Sequence, residues 1–491
     1  MANRLRAWEH PTILSADSIK YLPALIIPAI LALLASAIFT RIFTPRAYGV
    51  LALIGAATGP ILVAVNQGFA QPVARYYAQY HQAEQTPAFV QGIEYLAVRI
   101  SFGMLGLIGL LIGILAIGGL PSGFTWWLIG GAALGLWAAS LVPVMMRQLQ
   151  AAFHIREYRR LHIVGALLNL LFPLTLIGLF KAHIALMVWG SSLSSLVILV
   201  WVSRLTRTRW WRSPIKVVHY DPRIRSIVAQ LVHFGLPLIP WFLIMSLLRT
   251  TDRYILMLDR GSAAVGIYNT TYILVAESVG LLGRLVMVGE WPHLMDSWAR
   301  HQRGQTYADI RRITNVLLAL GIGVIGFQQT FSQLAFHVLL GQNFSAGQHI
   351  VLPILLGMLI WAVCDVGHKI FELSNKTSLL LIPALSAWIV NLVLNVWLTP
   401  IWGVNAVAWD TFAAFGVYGI MLWLLSQWVW AWPLSLRTLA VLVTVGGISW
   451  GLAYHLIPGM HDFWLTTLVH GGAFLIIYTL SIGTYFRRRF R

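Results

Sequence analysis

Five ionisable residues stand inside or at the ends of two apolar stretches between Phe234 and Trp291: Arg249, Asp252, Arg253, Glu277 and Arg284. Residues three and four apart on a helix are neighbours, so Arg249, Asp252 and Arg253 share one face. Two guanidiniums so placed can grip a pyrophosphate through paired hydrogen bonds, a geometry that lysine cannot match. Asp252 would hold one arginine in place, or neutralise it when no anion is bound. Glu277 and Arg284 lie two turns apart on one face of the next helix. Glu277, near mid-membrane, could bind a coupling proton or cation, or pair with Arg249. Arg284, nearer the cytoplasmic side, could receive an incoming anion. Plainer readings stand beside these: interfacial pairs, snorkelling arginines, and buried salt bridges that only fix packing.

The elements that must position these charges are membrane helices. The chain has 491 residues, of which 58% are hydrophobic and only 10% charged. A soluble domain carries roughly 25% charged residues. The apolar runs are long enough to span a bilayer, where backbone groups find no water and only helices or closed barrels are viable. Uninterrupted runs exclude a barrel, whose strands alternate polar and apolar residues. The expected fold is therefore an all-α polytopic membrane protein with about fourteen transmembrane helices. The run around Ala35-Ser36-Ala37 is expected to span rather than to be cleaved as a signal. An ionisable group in hydrocarbon costs at least ~2.5–3.5 kcal/mol, so each charge within a span needs a partner, a wet cavity or an escape to the interface.

The net charge of +18 reads as topology rather than nucleic-acid binding. Basic residues collect in the segments 147–160, 204–225 and 300–312 and in the tail Arg487-Arg488-Arg489. Placing these in the cytoplasm puts both termini there. Trp126, Trp127, Trp210, Trp211 and Trp464 fall near helix ends, as an aromatic belt requires. The basic stretch 204–230 divides the chain into an N-terminal six-helix lobe (1–203) and a C-terminal one (231–430), with two further helices and the tail over 431–491.

The halves show a faint repeat. Ile27-Pro28 precedes Arg41 by the spacing that separates Ile239-Pro240 from Arg253. Tyr48-Gly49-Val50 then corresponds to Val265-Gly266-Ile267. Repeat-built transporters place their substrate site between the repeats.

Five stretches carry a family resemblance: TRIFTPRAYGV from Thr40, NQGFAQPVARYY from Asn66, TDRYILMLDRGSAAVGIYNTTY from Thr251, LLGQNFSAGQHIVLPIL from Leu339 and VNLVLNVWLTPIWGVNAVA from Val390. In that order they resemble the Wzx-type polysaccharide flippases of the multidrug/oligosaccharidyl-lipid/polysaccharide exporter superfamily. The resemblance implies two six-helix lobes around a central cavity and transport by alternating access. It implies a polyprenyl diphosphate-linked oligosaccharide as substrate, moved from the cytoplasmic to the outer leaflet of the inner membrane. It also implies membrane lipids and polysaccharide polymerase or synthase proteins as partners. The last two helices are absent from twelve-helix members, and fourteen-helix peptidoglycan-precursor flippases use such helices to form a lipid groove. That branch stays open as an alternative, as does a drug or metabolite antiporter.

The expected substrate-binding residues are thus Arg249, Arg253, Arg284 and, by its repeat position, Arg41. Those expected to couple an ion or balance charge are Asp252, Glu277 and Asp365. Asp365, His368, Lys369 and Glu372 form a polar stripe that suits a gate or, more simply, helix-end solvation. Asn391, Asn395 and Asp410 are polar groups within spans, where asparagines commonly join helices by hydrogen bonds. Gly109…Gly113, Gly131…Gly135 and Gly447…Gly451 have the spacing of close helix packing. Gly447-Ile448-Ser449-Trp450-Gly451 matches the hydrolase nucleophile pattern but sits mid-helix, not on a strand-to-helix turn. Cys364 is the only cysteine, and neither an HExxH zinc motif nor a P-loop occurs. No metal, cofactor or enzymatic chemistry is expected, although proton or sodium coupling is.

Overall fold

The computed structural model describes residues 16–152, 154–208, 221–374, 376–456 and 463–489. These residues form helices, with no strand among them. The order is α1 (Ala16–Ile42), α2 (Pro45–Gln82), α3 (Thr86–Gly118), α4 (Trp126–Ala151), α5 (Ile155–Leu179), α6 (Ile184–Thr206), α7 (Pro222–Gly235) and α8 (Ile239–Leu248). Then follow α9 (Thr251–Ala299), α10 (Arg303–Leu339), α11 (Val351–Leu373), α12 (Leu381–Trp402), α13 (Val404–Val429), α14 (Leu436–Leu456) and α15 (Phe463–Arg489). Among the described residues, 13 helical stretches are long and apolar enough to cross a membrane. One of them, Pro222–Met287, has 66 residues and contains two expected spans. At 1.5 Å per residue it would far exceed a ~30 Å hydrocarbon core if straight. It is instead broken at the 3-10 turn Leu236–Leu238, which contains Pro237, and at Gly261. The all-α polytopic fold is as the sequence predicts. Trp210 and Trp211, and most of the basic stretch 204–225, lie outside the described residues.

Local chemistry starts the helices where the sequence changes character. Thr125 Oγ1 accepts from the backbone N–H of Leu128 at 3.2 Å to cap α4. Asp221 Oδ1 accepts from Arg223 N at 2.9 Å, with Pro222 in the first turn of α7. Each satisfies a donor that the first turn of a helix leaves without a partner.

The chain divides into two compact units, 23–269 and 270–491 together with the start of the chain through Leu22. The expected lobe boundary was the basic stretch 204–230; here α7, α8 and the first part of α9 belong with α2 and α3. In the unit 23–269, α4 packs on α6 through small residues. A Cβ at Gly131 would press on the Trp189 ring and one at Gly135 on Ser192 Oγ, while Ser192 donates to the Gly131 carbonyl at 2.7 Å. That glycine pair therefore does what its spacing suggests. Gly109, Gly113, Gly447 and Gly451 do not: a Cβ at each meets open space. Gly446, one residue earlier, is the glycine that packs, against Ile322.

Helix α2 lies against the 222–269 segment at two points. Gly68 meets Gly235 backbone to backbone, and Gly49 meets Gly266 and Ser262 the same way. The two points are about 28 Å apart along α2, nearly the depth of the hydrocarbon core. Gly49 and Gly266 are also the glycines that the internal repeat aligns. Equivalent positions touching one another is what a two-fold relation between repeats produces on its axis.

In the unit 270–491, α12 and α13 form a tight pair and both final helices pack on α10. Gly323 and Gly326 of α10 receive the rings of Tyr478 and Phe474, and Tyr478 Oη donates to the Ala319 carbonyl at 2.6 Å.

Candidate functional site

The charged cluster forms because α9 folds back on itself. Gly261 has φ 79° and ψ 176°, a conformation essentially reserved for glycine. Along an unbroken helix, residues sixteen apart would be separated by about 24 Å. Here Tyr268 Oη donates to Asp252 Oδ2 at 2.6 Å. Arg253 Nε donates to Asn269 Oδ1 at 2.8 Å. The hairpin so closed has an exposed tip at Asp259–Arg260, themselves ion-paired at 2.8 Å.

Within the hairpin, Asp252 is 1% exposed and Arg253 7%. Asp252 Oδ1 accepts from the Arg253 backbone N–H at 2.8 Å and lies 3.6 Å from its Nη1. The same Nη1 donates to the Arg249 carbonyl. The Arg253 guanidinium is thus engaged from three directions: Asn269, the Arg249 backbone and Asp252. This is the geometry of a group that closes a hairpin, and an anion would have to displace those partners. Arg249, half-buried, ends α8 one turn before Arg253. Arg41 repeats part of the device, because its Nη1 donates to the carbonyl of Ala37, four residues back. Unlike Arg253, Arg41 is exposed.

The other expected residues lie in the unit 270–491. Arg284 is exposed on α9. The side chain of Glu277 lies outside the described residues. Asp365 is paired with His368 Nδ1 at 3.6 Å, and His368 Nε2 is 2.6 Å from Tyr418 Oη. Lys369 is paired with Glu372 at 2.8 Å. The stripe therefore splits into a buried His–Tyr contact with a half-exposed carboxylate and a separate ion pair between half-buried Lys369 and exposed Glu372. No group of three or more metal-ligating side chains occurs among the described residues.

Two further features are largely uncharged. The first is a buried polar ladder. Asn391, Asn395 and Thr399 recur every fourth residue on α12 and are fully buried. Both ends of the Asn391 amide, Asn395 Oδ1 and Thr399 Oγ1 have no hydrogen-bond partner among the described residues. Asn395 does donate at 2.9 Å to the Asn391 carbonyl, but within its own helix. The expectation that these asparagines join helices by hydrogen bonds is not met. Asp410 and Thr411, also buried, lie as far after the Gly403 turn as Asn395 lies before it, which puts them at similar depth. Buried groups of this kind are ordinarily paired or solvated by water or an ion.

The second is an apolar cavity of about 870 Å³ among α10, α11, α13 and α14. Leu318, Ile322, Leu356, Ile360, Trp423 and Trp450 give its character, and Gln329 alone brings an amide to it. Leucine and isoleucine are unremarkable inside spans, so only the way the helices separate reveals this space.

Helices folded this way, with a broken seventh span and paired final helices, invite comparison with known transporters. Residues 15–288 match the sequence family described as polysaccharide biosynthesis protein. The chain belongs to that family. Similar solved structures include the lipid II flippase MurJ in an inward closed conformation, with TM-score 0.65 and 14% identity over 96% of this chain and 100% of that one. Another is an inward-facing multidrug resistance MATE family transporter of the MOP superfamily, with TM-score 0.62 and 14% identity over 86% and 99%. A third is a MOP superfamily transporter from Pyrococcus furiosus described as having reverse polarity of its binding pocket, with TM-score 0.57 and 13% identity over 89% and 94%. No curated protein matches the chain. At these identities the likeness is one of fold. The chain is thus a polytopic membrane protein of the polysaccharide biosynthesis family whose fold is the one these transporters share.

Proposed function

We propose that this protein moves a lipid-diphosphate-linked oligosaccharide from the cytoplasmic to the outer leaflet of the inner membrane for cell-surface polysaccharide assembly, by alternating access. The observation that carries the reading is the large apolar cavity of the unit 270–491 in a chain of the polysaccharide biosynthesis family. Its volume falls in the range of sites that enclose a ligand, yet its lining offers almost nothing to a polar one. A polyprenyl tail is the part of this substrate with matching chemistry. The cations proposed for the diphosphate are Arg249 and Arg41 in the unit 23–269 and, separately, Arg284 in the unit 270–491. Arg253 is engaged in closing its hairpin and serves to position Arg249, whose carbonyl it holds.

The buried ladder is the better seat for a coupling cation than Asp252, whose oxygens are occupied. Amide, hydroxyl and carboxylate oxygens are the ligands a hard cation takes. Asn391, Asn395 and Asp410 are the residues assigned to it. Basic candidates outnumber acidic ones, which speaks against cationic drugs as cargo. A peptidoglycan precursor is the second reading, favoured by the match to MurJ over its whole length. Leaflet translocation in reconstituted vesicles, with a lipid-diphosphate oligosaccharide beside a peptidoglycan precursor, separates the two. Faster movement of the peptidoglycan precursor would replace the first reading with the second.

A further inference from the structure

At the end of α10 opposite its basic start, nine residues form a 3-10 helix, Gln342–Ile350. Such runs rarely exceed three or four residues, and their side chains eclipse every third position. The sequence fits that period in two rows. Phe344, Gly347 and Ile350 make a buried row. A Cβ at Gly347 would strike Thr271 Oγ1 and the Phe336 ring, so the glycine lets the segment sit close. Gln342, Ser345 and Gln348 make the second row, and all three line a cavity of about 610 Å³. Gln333 and His337 of α10 and Trp464 of α15 complete its polar wall. Trp464 is 46% exposed, and its ring meets that of His337 edge to face at 6.0 Å.

We infer that this cavity is a docking site for neutral sugar residues on the outer face of the membrane. The inference rests on the proposed flippase function and adds a site to it. A sugar hydroxyl both donates and accepts, as do carboxamides and the serine hydroxyl. The apolar C–H face of a pyranose needs a flat apolar partner, which the exposed indole provides. No Asp, Glu, Lys or Arg is among the residues lining the cavity, so the site is not built for a phosphate or a charged headgroup. Helix α10, about 55 Å long, carries Arg303, Arg311 and Arg312 at its start and the cavity at its finish, so the two lie on opposite faces of a ~30 Å core. Basic residues mark the cytoplasmic face, which places the cavity outside. There it holds the glycan after crossing and opposes its return.

The test is binding of free neutral tetrasaccharides of gluco, galacto and manno configuration to the purified full chain, with inorganic pyrophosphate as the charged probe. The expected result is that at least one tetrasaccharide binds and pyrophosphate does not compete. Trp464→Ala and the double variant Gln342→Leu/Gln348→Leu should weaken binding about tenfold or more, and Trp464→Tyr should retain it. Unchanged thermal midpoints would show that these surface variants fold. No binding by the wild type, competition by pyrophosphate, or equal binding by the variants would overturn the site. Lipid-linked glycan translocation in vesicles is measured separately. Translocation without tetrasaccharide binding removes this site and keeps the flippase reading, and binding without translocation does the reverse.

Discussion

Tyr268 donates a 2.6 Å hydrogen bond to Asp252 across the bend at Gly261, and so closes the hairpin between the two apolar stretches that the sequence presents. Removing one partner of a buried ion pair typically costs about 3–5 kcal/mol, because the other charge stays buried. Arg253→Ala and Asp252→Ala should therefore lower stability by that order, read as thermal midpoint in detergent. Tyr268→Phe removes one donor to a buried acceptor and should cost about 1–3 kcal/mol. A stable Arg253→Ala that has lost transport would instead make Arg253 a ligand to substrate.

Gly261→Ala isolates the bend itself. A residue with a Cβ forced into this conformation costs about 1–3 kcal/mol. The substitution touches no neighbour, since a Cβ there meets open space, so any loss measures backbone strain.

Gly235→Ala tests the seam with α2. Its Cβ would strike the Gly68 backbone, which no side-chain movement relieves. A loss of about 1–3 kcal/mol or more is expected, as for overpacking, whereas Gly109→Ala should be nearly neutral because a Cβ at Gly109 meets open space.

The sequence-level reading of these elements succeeded where physics acts along the chain. Apolar length identified the spans, and the expense of charge in hydrocarbon drew attention to Asp252 and Arg253. The repeat aligned Gly49 with Gly266, which prove to touch. What escaped was physics acting across the chain. Tyr268 and Asn269 could be recognised as partners only once the bend at Gly261 set the register. Asn391 and Asn395 look like ordinary helix-joining amides until the Asn391 amide and Asn395 Oδ1 prove to have no partner among the described residues. The polar row Gln342, Ser345 and Gln348 follows a three-residue period, while the expected helices follow 3.6.

The ladder predicts an ion effect. Sodium should raise the thermal midpoint of the wild type relative to choline, and Asn391→Leu and Asp410→Asn should abolish that increment. In a dry site, Asn391→Leu would simply stabilise the protein by about 1–3 kcal/mol, with sodium inert, because it removes an unpaired buried amide.

On the proposed function, the apolar cavity holds the lipid tail of a translocated glycan. Gly416 and Gly447 line it, and a Cβ at either meets open space, so Gly416→Phe and Gly447→Phe fill the cavity without crowding the packed helices. The measurement is leaflet translocation of a polyprenyl-diphosphate oligosaccharide in vesicles containing the wild type or either variant, each with its thermal midpoint checked. Folding should be retained and translocation should fall about tenfold or more, the scale of about 1.4 kcal/mol or more lost from tail binding. Full translocation by both well-folded variants would mean that the tail does not enter this cavity.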